Sequence, residues 1–171
     1  MKRSIDEEIG WPSALRRYLA ASAALHLAWE AVQLPFYTIW SDQSWRQQTF
    51  AVVHCTVGDV MIAGFSLLVA LVVMARPDWP RTAMRRVWLL TLFVGFTYTL
   101  YSEWLNTSVR RSWAYSELKP TVPFLGTGLA PALQWLVVPT IALWFALRRV
   151  PWNSTESPEL TRDAGGHSSR P

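Results

Sequence analysis

Four apolar runs, Ala14–Trp40, Phe50–Ala75, Val87–Leu105 and Ala130–Leu147, are separated by short polar segments that carry arginine or proline. Each run approaches or exceeds the roughly 20 residues that take a helix across a bilayer. In lipid every backbone N–H and C=O must find a partner within the chain, so runs of this length predict helices. The expected fold is all-α: a polytopic membrane protein with a bundle of four transmembrane helices. Its spans are read at about 15–40, 50–75, 87–106 and 129–147. A cytoplasmic segment 1–14 precedes them, and a disordered cytoplasmic tail 148–171, rich in Ser, Thr, Pro and Gly, follows. Pro35 is expected to kink the first span near its far end.

Only 16% of the residues are charged, against about a quarter in soluble domains. That excludes an ordinary soluble enzyme. Cys55 is the single cysteine, which excludes an internally stapled disulfide module. The net charge of +4 does not point to nucleic acid, because the basic residues flank the apolar runs. Twelve of the sixteen Lys and Arg residues fall on the N-terminal flank, the Arg76–Arg86 loop and the C-terminal flank. Only Arg46, Arg110, Arg111 and Lys119 fall on the other side. The positive-inside rule therefore predicts an inner or plasma membrane protein with both termini in the cytoplasm. The segment from Thr107 to Gly128, with Trp113, Tyr115, Pro120 and Pro123, predicts an ordered cap on the opposite side.

Five ionisable residues lie within the runs: His26, Glu30, His54, Asp59 and Glu103. Each costs about 2.5–3.5 kcal/mol at the centre of a spanning helix, so each is a candidate functional group. Counted along the spans, they converge with Gln134 and Trp135 on the half of the bundle away from the arginines. His26 and Glu30 are one turn apart on one helix face, with Ser22 and Gln33 extending the stripe. Cys55, Thr56, Asp59 and Ser66 form a second stripe, and Gly95, Thr99, Ser102 and Glu103 a third. His54 lies about 140° around its helix from Asp59, so the two are expected to serve different surroundings. His26, Glu30, His54, Asp59 and Glu103 are the candidate acid/base residues. Trp29, Gln33, Tyr101, Gln134 and Trp135 are the candidate ligand contacts.

Structural roles compete with these. A buried His–Glu pair can hold two helices in register, Asp59 can be a hydrogen-bond anchor, and Tyr101 and Trp135 can simply pack. Two histidines and three carboxylates are also a conceivable ligand set for iron, manganese or zinc. The paired Glu-x-x-His spacing of di-metal bundles is missing, however. Haem held by His26 and His54 would need two residues at different depths. No cofactor or resident metal is expected.

The residues His26, Leu27, Ala28, Trp29 and Glu30 resemble the His-x-x-x-Glu of an early helix in the emopamil-binding sterol isomerases of the EXPERA superfamily. Gln134, Trp135, Leu136, Val137, Val138 and Pro139 resemble their last-helix segment, in which an amide residue shortly precedes Trp-Leu-Val-Leu-Pro. Tyr101, Ser102 and Glu103 resemble a Tyr-x-x-x-Glu stretch at the end of the third shared helix. His54 stands in the helix where that family has a functional Glu. The resemblance covers about residues 15–147. It implies a four-helix membrane bundle around a lipid-accessible cavity, a sterol- or isoprenoid-like ligand, and double-bond isomerisation or cyclisation by proton transfer. An acid would protonate an alkene, a base would remove a proton elsewhere, and Trp135 would stabilise the cation with its ring face, worth about 2 kcal/mol when desolvated. A non-enzymatic lipid- or amine-binding protein, as the sigma-2 receptor in the same superfamily suggests, is the alternative, and a haem or metal redox protein the third. The expected partners are a hydrophobic small molecule or lipid and the membrane, with no nucleic acid. A homodimer is compatible with the sequence.

Overall fold

The computed structural model describes residues 11–121 and 128–148. The expected N-terminal cytoplasmic segment, apart from its last few residues, lies outside them, as does nearly all of the expected disordered tail. The described chain is helical. The elements are α1 (Trp11–Gln33), a 3-10 turn (Leu34–Phe36), the short α2 (Ile39–Asp42), α3 (Trp45–Met74), α4 (Met84–Trp104), a π turn (Leu105–Val109) and α5 (Leu129–Leu147). Among the described residues the only bridges between extended segments are the isolated pairs Tyr37–Tyr115 and Thr121–Gly128.

Local chemistry sets the boundaries. Pro12 opens α1, where its missing N–H costs nothing. The expected kink at Pro35 is instead a stop. Pro35 has no N–H to continue the ladder and disfavours helical backbone at Leu34, so α1 ends at Gln33. Tyr37 is then extended, at φ −118° and ψ 148°. α3 begins five residues earlier than the apolar pattern indicates. A capping box draws it forward: the Ser44 N–H donates to Gln47 Oε1 at 3.1 Å, and the Ser44 side chain accepts from the Gln47 N–H. α5 covers the expected Leu129–Leu147 and carries Pro139 inside it. Next to this break in the ladder, the Thr140 hydroxyl donates to the Leu136 carbonyl at 2.6 Å.

The four long helices pack in a ring, α1 on α3, α3 on α4, α4 on α5 and α5 back on α1. Their faces are inverted relative to a water-soluble bundle. On α1 the buried positions are Ala14, Tyr18, Ser22, His26, Glu30 and Gln33; on α4 they are Val87, Thr91, Gly95, Thr99 and Glu103. Both rows step by three or four residues, and most of their members are polar. The exposed row of α3 is apolar: Phe50, Val53, Val57, Met61, Phe65, Leu68 and Val72. Two helices, α3 and α5, are long and apolar enough to cross a membrane by length and composition.

The apolar core is concentrated at the end where α1 and α4 begin and α3 and α5 finish, and it reaches up α5 to Trp135. It includes Ala14, Tyr18, Ala63, Leu67, Ala70, Val87, Ala142 and Ala146. Arginines surround this end; Arg17 donates to the Phe145 carbonyl at 3.1 Å. The opposite end is polar and is closed by the cap. Thr38 N–H donates to Ala114 O at 3.1 Å, Ser116 N–H to Phe36 O at 3.0 Å, and Leu129 N–H to Pro120 O at 2.8 Å. The cap residue Pro123 lies outside the described residues.

Candidate functional site

The i,i+4 spacing of His26 and Glu30 on α1 places both side chains inside the ring, where α3 and α5 meet them. Gln134 of α5 is the centre of this meeting. Its Nε2 lies 2.9 Å from His26 Nδ1, 3.0 Å from Glu30 Oε1 and 2.9 Å from Asp59 Oδ2. Gln33, one turn after Glu30, donates to the same Glu30 oxygen at 2.6 Å. His26 Nδ1 is also 3.4 Å from Asp59 Oδ2. An amide nitrogen has two hydrogens and here faces three acceptors. An amide nitrogen cannot accept, so its contact with His26 Nδ1 is a hydrogen bond when Nδ1 is the bare nitrogen, and the two Gln134 hydrogens are then shared among Nδ1 and the two carboxylates. His26 Nε2 is buried and without a partner.

Behind this network lies Trp135, fully buried, with its ring centroid 5.5 Å from that of His26. Its six-membered ring rests against Gly95 of α4 so closely that a Cβ at that position would overlap it. Glycine at 95 is therefore what lets the indole of α5 approach α4 this closely.

A cavity of about 810 Å³ opens beside the network. Of the candidate residues, Glu30, Gln33, His54, Asp59, Glu103 and Gln134 line it. His26 stands behind them, fully buried. Trp29, Tyr101 and Trp135 are not in the lining. Tyr101 is 54% exposed and its ring is tilted against that of Trp104; the Trp29 indole N–H is buried without a partner. Trp135, expected to offer its ring face to a cation, packs against Gly95 and His26 and does not line the cavity. His54 is exposed and stacked on Phe50 with centroids 5.5 Å apart, so the two histidines occupy unlike surroundings. The lining holds four carboxylates, Glu30, Asp42, Asp59 and Glu103, against one guanidinium, Arg110. The rest is mainly apolar and aromatic. Among the described residues no group of three or more His, Cys, Asp or Glu side chains is arranged to hold a metal ion.

Glu103 anchors a second cluster under the cap. It is buried, and it accepts from Tyr37 Oη at 3.4 Å and from Tyr115 Oη. The two tyrosine rings meet edge to face, with centroids 5.8 Å apart. Lys119 Nζ sits 3.4 Å from the Tyr37 centroid and 4.0 Å from that of Tyr115, a cation held by two π faces. Its Nζ is buried and has no hydrogen-bond partner. Burial lowers the ammonium to about 8, although Glu103 works against the shift. Burial and the hydrogen bond to Glu103 hold the Tyr115 phenol above its ordinary range. The Gly128 N–H donates to Tyr115 Oη at 3.1 Å. Tyr37, Tyr115 and Lys119 carried no functional signal in the sequence beyond the aromatic composition of the cap. Their meeting depends on residues 36–38 pairing with 114–116, which no local pattern encodes.

No protein-family model, no curated protein and no solved structure matches this chain.

Proposed function

We propose that the four long helices all span a membrane, and that the acidic cavity between them binds a hydrophobic, sterol- or isoprenoid-like ligand at a cationic or incipiently cationic centre. The inverted faces of the helices support the membrane placement, since an apolar exterior around a polar interior is stable in lipid and costly in water. The observation that carries the ligand reading is Glu30 and Asp59 held by one amide, Gln134, at the wall of an otherwise mostly apolar cavity. The EXPERA resemblance of residues 15–147 agrees with this reading and adds double-bond isomerisation or cyclisation.

The chemistry is conservative in atoms. A cavity carboxylic acid gives a proton to one alkene carbon, the positive charge is faced by the remaining carboxylate, and a base removes a proton from another carbon. His26, joined to Asp59 and Gln134, is placed to relay that proton while staying out of contact with the ligand.

The test is affinity for lipophilic tertiary amines, which mimic the cation. Glu30→Gln keeps shape and hydrogen bonding and removes the charge. Amine affinity falls at least about tenfold, equivalent to roughly 1.4 kcal/mol. Equal affinity in wild type and variant, both folded, would leave Glu30 a structural residue. Turnover is separated from simple binding by incubating alkene candidates in heavy water: an isomerase incorporates deuterium, whereas a non-enzymatic binder returns its ligand unlabelled.

A further inference from the structure

A second cavity, of about 420 Å³, lies at the arginine-rich end, outside the helix ring and away from the acidic site. It is formed by the α3–α4 loop, the first turns of α4 and the last turns of α5. Trp79, Trp88 and Trp144 stand around it, and its basic groups are Arg81, Arg85 and Arg148; no Asp or Glu lines it. The tryptophans differ in state. Trp88 Nε1 donates to Thr140 Oγ1 at 3.2 Å. The Trp79 indole N–H is buried and unpartnered, and Trp144 is 64% exposed. Arg85 and Arg148 are exposed, and Arg148 stacks over Phe145 at 4.3 Å.

This combination is divided by polarity. One side offers guanidinium groups; the other is an apolar floor that continues onto the exposed face of α5 through Trp144 and Ile141. A water-soluble anion would leave the floor unused, and a neutral apolar ligand would leave the exposed Arg85 and Arg148 without a counter-charge. An anionic amphiphile satisfies both. We propose that this groove is a binding site for an anionic phospholipid, its phosphate between Arg85 and Arg148 and an acyl chain along Trp144 and the outer face of α5. Basic pockets at the ends of spanning helices hold such headgroups because guanidinium pairs with phosphate through two parallel bonds. The site rests on the membrane placement proposed above and is independent of the ligand assigned to the acidic cavity.

Native mass spectrometry of the purified full-length protein with equimolar phosphatidylglycerol and phosphatidylcholine of identical chains tests it. Wild type retains phosphatidylglycerol with a preference of about tenfold or more, as two arginines near a headgroup predict. The preference falls to parity in the Arg85→Gln/Arg148→Gln double variant, whose amine affinity at the acidic cavity is unchanged. Parity in wild type overturns the proposal without any variant being needed. So does a preference that survives in the folded double variant, which would place the lipid elsewhere. Alkaline carbonate extraction checks the membrane placement separately. Release by carbonate sinks that placement and the lipid site with it, whereas retention combined with parity sinks the lipid site alone.

Discussion

Between the helices at the arginine-rich end lie Ala14, Ala63, Ala70, Ala142 and Ala146, all fully or almost fully buried. At the other end, the corresponding positions are Glu30, Gln33, Glu103 and Gln134, around a cavity of about 810 Å³. Small residues let backbones approach closely and, in the membrane placement proposed above, supply packing where lipid offers no hydrophobic drive. Charged and amide residues hold helices together only through mutual hydrogen bonds, and they leave room between them. One half of the bundle is therefore a closed clamp, and the other a basin under the cap. Trp135 and Gly95 form the seam, because the indole belongs to the apolar core and touches His26 of the polar network.

Removing packing from the clamp sharpens this division most. Leu67 is fully buried there and lines neither cavity. Leu67→Ala costs about 3 kcal/mol of stability, the usual scale for a cavity left in a core. Unfolding in detergent measures it. Amine affinity of the folded fraction stays within about twofold of wild type, under half a kcal/mol. A large loss of affinity would show that the halves are not separable.

At the seam both properties move together. Gly95→Ala drives a methyl group into the Trp135 ring and costs about 2 kcal/mol, as overpacking does. Trp135→Leu in the same chain removes the obstacle, so the double variant is more stable than the two single losses would sum to. Additive losses would mean that the ring shifts aside without strain.

In the basin, Gln134→Leu withdraws the amide that serves Glu30, Asp59 and His26 at once. The stability loss is about 1.5 kcal/mol, within the range for stranding buried acceptors. Amine affinity changes as well, because the carboxylates lose their common anchor. Gln134→Glu adds a third acid and gives a larger stability loss than Gln134→Leu. The reverse order would show that the amide is not the group holding the two carboxylates together.

What could be read from the sequence follows the same division. The stripe Ser22, His26, Glu30 and Gln33 was visible because helix periodicity alone brings its members to one face, and all four are buried. Gln134 could be assigned to the same depth by counting residues along its span. Its role as the shared donor could not, since that depends on rotations of α1, α3 and α5 about their axes. Trp135 shows the limit plainly. Its neighbour in sequence lines the cavity, yet the indole turns toward Gly95, a choice made by the missing side chain on a different helix. The apolar run does not reveal where α1 ends, because it continues past Pro35, which stops the helix and does not merely kink it. That stop produces the extended Tyr37, and with it the whole Glu103–Tyr115–Lys119 cluster.

The smallest expected effect lies in that cluster and is a dependence on pH. Lys119 titrates at about 8 in the folded protein because burial disfavours its charge. In the unfolded chain the same amine titrates at about 10.4. Between these values the unfolded state binds more protons, so stability rises as pH increases through the window. Below about pH 8 both states are protonated and the cost of burying the ammonium is fully present. Tyr115 acts in the opposite sense. Its phenol is held above the ordinary range by burial and by Glu103, so above about pH 10 the unfolded chain loses a proton that the folded protein keeps, and stability falls. The joint contribution of these two groups to stability therefore peaks between about pH 9 and 10, rising on the order of 1 kcal/mol from its value at neutral pH. Lys119→Met keeps the aliphatic stem against the two rings, removes the rise and raises stability at neutral pH by a similar amount. Tyr115→Phe reduces the fall at high pH, to which Tyr37 also contributes because burial and Glu103 hold its phenol above the ordinary range, and leaves the rise. Superimposable pH profiles for wild type and Lys119→Met would show that the ammonium is solvated, and that the cap over the basin is open rather than sealed.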